Sequence, residues 1–121
     1  MPRILIMDDD WELRETLRRI LEFEGYEVED VPNGNVGIDS LHRRRADLAV
    51  IDIVMPGKDG LETIKAVRKE FPEVKIVAMS GGGYFTPHNF LRSARLHGAD
   101  HVLAKPFEQE ELVAAIKRLL S

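Results

Sequence analysis

The chain has 121 residues, a formal net charge of −4, and 44% apolar and 31% charged residues. These values are typical of one globular domain, and the negative charge argues against a nucleic-acid-binding surface. The sequence has no cysteine, which excludes disulfides, thiol catalysis and cysteine-bound zinc. It also lacks the apolar run that a membrane span or a signal peptide requires. We therefore expect a single domain over residues 1–121 that is located in the cytoplasm and does not bind a membrane.

The first half of the chain alternates short apolar runs with longer amphipathic ones. Residues 4–7 form the first predicted strand, and apolar residues at helical spacing predict a helix over 11–24. Gly25 stands where a glycine commonly ends a helix. A more polar strand follows over 26–31, and then a helix over about 34–45 that Gly34 and Gly37 weaken.

The second half repeats the pattern three times. Strands are predicted over 48–51, 74–79 and 101–104, each followed by an amphipathic segment. The first of the three helices stops before Pro72, the second runs from about 87 to 97, and the third contains Leu112 and Ile116. Strict alternation of strand and helix predicts an α/β fold. We expect a five-stranded parallel sheet, doubly wound, with helices on both faces.

Polar residues follow the predicted strands at the point where each strand ends. These residues are Asp8, Asp9 and Asp10 after the first strand, Asp52 after the third, Ser80 after the fourth and Lys105 after the fifth. The carboxyl ends of the strands form the ligand crevice of a doubly wound sheet, so these side chains should share one cleft. Each residue alone could be an ordinary turn or cap residue, and Asp10 is the expected N-cap of the first helix.

The chemistry of this set favours a metal ion and a phosphoryl group. Clustered carboxylates repel one another unless a cation offsets their charge, and their oxygens suit Mg²⁺ or Mn²⁺. A lysine opposite such a metal indicates an anionic ligand between the two. Phosphoryl transfer depends largely on positioning and on neutralising charge, which this set of residues could supply.

At this point the sequence resembles the receiver domain of response regulators in two-component signalling. The similarity is carried by residues 4–10, 52–60, 79–81 and 98–107, and it extends over essentially the whole chain. The resemblance implies a flavodoxin-like fold. It also implies that Asp52 accepts a phosphoryl group from the phosphohistidine of a histidine kinase or phosphotransfer protein, and that the phosphorylated state modulates a downstream protein.

The resemblance also implies roles for the other strand-end residues. Lys105 and Ser80 would contact the phosphoryl group, and the Lys105–Pro106 peptide would be cis. The implied metal ligands are Asp8, Asp9, Asp52 and the backbone carbonyl of Val54. Such a domain catalyses only its own phosphorylation and dephosphorylation and is not otherwise an enzyme.

Two features depart from the family pattern. Val102 stands three residues before Lys105, where receiver domains often have a tyrosine or phenylalanine that switches rotamer. The stretch after Ser80 is a few residues longer than usual and contains three glycines followed by Tyr84 and Phe85. We expect phosphorylation to re-order residues 81–86 and partners to contact this loop together with the helix from Pro87.

Three other classes of protein fit the sequence less well. A phosphatase resembling the haloacid dehalogenase group would have its aspartyl nucleophile after the first strand, but residues 8–12 match only the first half of that motif. A flavodoxin-like cofactor binder needs a phosphate cradle there, whereas three aspartates would repel phosphate. A receiver that binds partners without being phosphorylated is disfavoured, because every key position is filled.

Overall fold

The computed structural model describes residues 1–54, 60–80 and 87–121, with the side chains of 87–91 left aside. Each predicted strand and helix is present, and the ends of most differ from prediction by one or two residues. In chain order they are β1 (Arg3–Met7), α1 (Trp11–Phe23), β2 (Glu27–Val31), α2 (Gly34–Arg43), β3 (Leu48–Asp52), α3 (Gly60–Glu70), β4 (Lys75–Ser80), α4 (Pro87–His97), β5 (His101–Ala104) and α5 (Gln109–Leu120).

The five strands form one parallel sheet in the order β2-β1-β3-β4-β5. The chain moves from β1 outward to β2 and then crosses back to β3, so the winding direction reverses between β1 and β3. In open parallel sheets this reversal leaves a crevice at the carboxyl ends of the central strands. The predicted fold class is confirmed. The strand order places the crevice at the ends of β1 and β3.

Apolar cores lie on both faces of the sheet. Leu5 and Met7 of β1 face the core formed with α2, α3 and α4. Ile4 and Ile6 alternate with them and face the core formed with α1 and α5. Because both faces are covered, the interior positions of the central strands are apolar, as is typical of parallel sheets. None of the helices in the described ranges combines the length and the apolar character needed to cross a bilayer.

Close packing explains the glycines that made α2 look weak in the sequence. A Cβ at Gly34 would overlap the side chain of Thr63, and one at Gly37 would overlap the side chain of Met7. Gly25 has a φ of 99°, which is the left-handed conformation expected of a glycine that ends α1. The glycines of α2 therefore permit α2 to approach β1 and α3, at the expense of helix propensity.

Candidate functional site

The strand-end residues predicted from the sequence lie together at the carboxyl edge of the sheet. Asp8 follows β1, Asp52 is the last residue of β3, and Lys105 follows β5. Asp8 and Asp52 are only 0% and 4% exposed, although each carries a carboxyl group. Asp9 is exposed beside them. The site thus has two buried carboxyl groups and an accessible third one at its rim.

Lys105 joins the two buried carboxylates. Its Nζ lies 3.1 Å from Oδ2 of Asp8 and 3.4 Å from Oδ2 of Asp52. The other oxygen of each carboxylate accepts a backbone hydrogen bond: Oδ1 of Asp52 from the N–H of Val54 at 3.1 Å, and Oδ1 of Asp8 from the N–H of Asp10 at 2.9 Å. All four oxygens therefore have a donor, as buried carboxylates require.

The carboxylates are close enough to share one divalent cation. One carboxylate oxygen each from Asp8, Asp9 and Asp52 lies within 4.8 Å of the others. Three hard oxygen donors at this spacing fit Mg²⁺ or Mn²⁺, which keep waters in their remaining coordination positions. Val54 is exposed two residues after Asp52. The role of the Val54 carbonyl as a further metal ligand stays a prediction.

The electrostatics of the site disfavour the ionisation of Asp52 beside the charged Asp8. Burial, reinforced by the charge of Asp8, raises the pKa of Asp52 from 3.8 to about 6, although Lys105 and the N–H of Val54 act in the opposite direction. For Lys105, burial alone would lower the pKa, but the charges of Asp52 and Asp8 outweigh it and raise the pKa above 10.5. Lys105 is therefore a cation at neutral pH, and an added cation would favour the ionised form of Asp52.

An arginine that the sequence analysis did not single out supports the main chain of this site. Nη1 of Arg14 donates to the carbonyl oxygen of Asp8 at 2.7 Å, and Nε donates to Asp30 of β2 at 2.9 Å. The dipole near the start of a helix favours acidic residues. An arginine at position 14 is against this preference, and that was the signal in the sequence that it has a specific partner. The expected N-cap role of Asp10 is confirmed, since its Oδ1 accepts from the N–H groups of Glu12 and Leu13.

The remaining predicted residues lie around this centre. Ser80 is buried at the end of β4, and its carbonyl accepts a hydrogen bond from the N–H of Lys105 at 2.8 Å. Val102 packs, partly buried, against the core beneath α2, α3 and α4. The Lys105–Pro106 peptide is cis, as expected. The glycine loop with Tyr84 and Phe85 lies outside the described residues, so its predicted re-ordering stays a prediction.

Comparison with known sequences identifies relatives over nearly the whole chain. The family model described as response regulator receiver domain matches residues 4–117. The response regulator MprA of Mycobacterium sp. (strain KMS) is 40% identical over 119 residues, which are 98% of this chain and 50% of that protein. MprA of Mycobacterium leprae (strain TN) gives the same values. The chain thus spans about half the length of these curated relatives.

Comparison with solved structures also identifies relatives with the same fold. The receiver domain of NtrX from Brucella abortus superposes with a TM-score of 0.89 at 29% identity, covering 97% of each chain. A CheY-like receiver domain protein from Methanospirillum hungatei JF-1 gives a TM-score of 0.90 at 33% identity, covering 99% of this chain and 94% of that one. The comparisons give no support to a phosphatase of the haloacid dehalogenase type or to a flavodoxin-like cofactor binder. The chain belongs to the response regulator receiver domain family.

Proposed function

We propose that Asp52 is the phosphoryl acceptor of this receiver domain. The observation that carries the proposal is the position of Lys105, whose ammonium group lies between the carboxylates of Asp52 and Asp8. Asp52 combines burial, a strand-end position and a lysine within hydrogen-bonding distance. Asp8 has the same lysine, and the other oxygen of each carboxylate accepts one backbone N–H, so the choice of Asp52 over Asp8 rests on the match of residues 52–60 to the receiver family. Asp52 stands at the reversal in sheet order, where ligands of such sheets bind.

The transfer step follows from these groups. A carboxylate oxygen of Asp52 attacks the phosphorus of a phosphohistidine, a new O–P bond forms, and the N–P bond breaks. The released imidazole nitrogen takes up a proton, and Asp52 becomes an acyl phosphate. Lys105 pairs with the phosphoryl oxygens, and the Ser80 hydroxyl donates to them. Because phosphoryl transfer needs little covalent participation by the protein, positioning and charge are the main contributions of these side chains.

The acidic residues would hold the metal that this chemistry requires. Asp8, Asp9, Asp52 and the Val54 carbonyl are the proposed ligands of Mg²⁺ or Mn²⁺, supported by the spacing of the three carboxylates. The bound ion supplies positive charge against the phosphoryl oxygens and keeps Asp52 ionised. Asp8, which also contacts Lys105, links the metal side of the site to its lysine side.

Family membership supports the wider assignment. We propose a histidine kinase or phosphotransfer protein as the phosphoryl donor and a downstream protein as the partner of the phosphorylated state. On the same ground we propose one domain over residues 1–121 in the cytoplasm. Its catalysis would be limited to its own phosphorylation and dephosphorylation.

Incubation with acetyl phosphate and Mg²⁺, followed by intact mass measurement, tests the acceptor. The wild-type chain should gain one phosphoryl group, and Asp52→Asn should gain none while keeping its circular dichroism spectrum. Asp39→Asn is the matched control, because Asp39 is exposed on α2. Full labelling of the Asp52 variant would refute the assignment. Sustained phosphate release from many esters would instead indicate a phosphatase.

A further inference from the structure

A small depression lies between the C-terminal halves of α3 and α4. It has a volume of about 430 Å³ and is lined by Lys65, Arg68 and Lys69 of α3 and by Leu96 and His97 of α4. Leu96 is 79% exposed and is the apolar side chain among these lining residues. The surface therefore has an apolar centre with basic residues around it.

The two lysines at the rim carry uncompensated charge. Lys65 and Lys69 are exposed and lie four residues apart on the same face of α3. In the part of the chain that the structure describes, neither forms an ion pair, whereas Arg44, Arg45 and Lys117 each have a carboxylate partner. Like charges at this spacing weaken a helix, so folding does not account for them.

The floor of the depression is held firmly. The guanidinium of Arg68 donates to the carbonyl oxygens of Gly98 and Val74 and to the carboxylate of Asp100, at 2.7–3.1 Å. Its charge is thus directed into the protein. Nδ1 of His97 lies 2.7 Å from the carbonyl oxygen of Ser93, which fixes the ring against α4. Lys65, Lys69 and Leu96 are left as the groups that an external ligand would meet.

We propose that this surface binds an acidic protein segment that places one apolar side chain against Leu96 and carboxylates against Lys65 and Lys69. The positive rim is complementary to acidic residues, and an apolar side chain of the same segment would cover the exposed leucine. A nucleic-acid backbone would leave Leu96 uncovered, and a single leucine is too small an apolar area to hold a membrane.

The surface lies away from Asp52. Helices α3 and α4 run antiparallel to the strands, so their last turns lie at the amino edge of the sheet, opposite the strand-end site. Binding at this surface should therefore not require phosphorylation.

A short labelled peptide can test the proposal. The probe is a peptide with one leucine between two pairs of glutamates, titrated into ¹⁵N-labelled protein while amide shifts are recorded by NMR. We expect saturable shifts at residues 65–69 and 96–98. Leu96→Ser and Lys69→Glu should each weaken binding about fivefold or more, as expected for central contacts of a small interface. Lys117→Glu, which makes the same charge change on α5, should not.

Several outcomes would overturn the proposal. Shifts that do not saturate, or equal affinity of wild type, Leu96→Ser and Lys69→Glu, would remove the surface as a docking site. So would tighter binding at the same residues by phosphatidylglycerol vesicles or a DNA duplex. Asp52→Asn should bind the peptide with unchanged affinity, and loss of binding in that variant would contradict the independence of the two sites. A failure here leaves the phosphoryl-acceptor test unaffected.

Discussion

Lys105 determines the electrostatic balance among the residues of the strand-end site. It is the cation that offsets the buried carboxylates of Asp8 and Asp52, at 3.1 and 3.4 Å. Loss of the lysine would leave two buried carboxylates uncompensated, which is strongly destabilising. The lysine nevertheless compensates Asp52 only in part, since the pKa of that group stays raised, at about 6.

The metal-free protein should therefore lose stability as the pH rises through the range in which Asp52 ionises. Its pKa is about 6 in the folded state against an ordinary 3.8, so the folded state binds the proton more tightly than the unfolded chain does. The contribution of this group is greatest below about pH 4 and declines by about 1–3 kcal/mol as the pH approaches 6.

Denaturant unfolding of wild type and Asp52→Asn between pH 4 and pH 7 measures this decline. The variant should lack it and should be the more stable protein at pH 7 without metal, with the difference shrinking toward pH 4. Asp39→Asn, on the exposed surface of α2, should behave as wild type. Parallel pH profiles for wild type and Asp52→Asn would contradict the shifted pKa.

Arg14 is a positioning residue, because it contacts the carbonyl of Asp8 and no reacting group. Its second contact, with Asp30, ties that carbonyl to β2. Arg14→Ala should weaken Mg²⁺ binding about tenfold, as is typical for residues that orient metal ligands. Arg14→Lys should recover only part of the loss, since an ammonium lacks the fork that reaches both partners.

Mg²⁺ titration followed by the fluorescence of Trp11, the single tryptophan, measures this effect. Arg19→Ala is the control, since Arg19 lies on the same helix and, among the described residues, pairs only with the half-buried Glu15. Equal affinities for wild type and Arg14→Ala would remove Arg14 from the site.

Sequence reasoning reached the positions of Asp8, Asp52 and Lys105 because parallel strands bring their carboxyl ends to one edge. It did not reach the contact between Arg14 and Asp30. That contact depends on how α1 is rotated against β2, and hydrophobic periodicity gives the buried face of a helix without its polar neighbours. Sequence reasoning also did not establish that Lys105 contacts the carboxylates of both Asp8 and Asp52, because that contact depends on the side-chain rotamers of the three residues.

Among the elements, the start of α3 is packed directly against the end of β3. A Cβ at Gly60 would overlap the carbonyl oxygen of Asp52 and the main chain of Ile53. The N–H of Gly60 donates to the carbonyl of Ile53 at 2.9 Å. The sequence predicted a helix that ends before Pro72, but the closeness of its start to the main chain of β3 could not be predicted, because periodicity carries no distance between elements.

Gly60→Ala should therefore destabilise the protein by at least about 2 kcal/mol, because a backbone clash cannot be relieved by a rotamer change. Gly37→Ala is a graded comparison. Its new methyl group meets the flexible end of the Met7 side chain, and alanine improves the helix, so the net cost should be about 1 kcal/mol or less. Thermal and urea unfolding give both values. The reverse order of stability would contradict this account of the packing.

For the whole molecule, metal binding at the proposed site would be linked to folding. The three carboxylate oxygens converge only in the folded chain, since they come from the ends of β1 and β3. A ligand that binds only the folded state stabilises it by mass action, by about 2.7 kcal/mol at one hundred times its dissociation constant. The sequence pattern predicted a doubly wound parallel sheet, but the pattern by itself did not determine the order of the strands that places β1 beside β3.

Mg²⁺ should therefore raise the melting temperature by several degrees at pH 8, and the rise should fade below about pH 6 as Asp52 becomes protonated. Asp9→Ala should lose most of the response. Asp10→Ala is the matched control: it removes the cap of α1 and lowers the melting temperature, but it should keep the shift with Mg²⁺. An unchanged melting curve in Mg²⁺, or an equal shift in the Asp9 variant, would show that these carboxylates do not form the metal site. Loss of the shift in the Asp10 variant alone would place the response in the capping turn and not in the cluster of Asp8, Asp9 and Asp52.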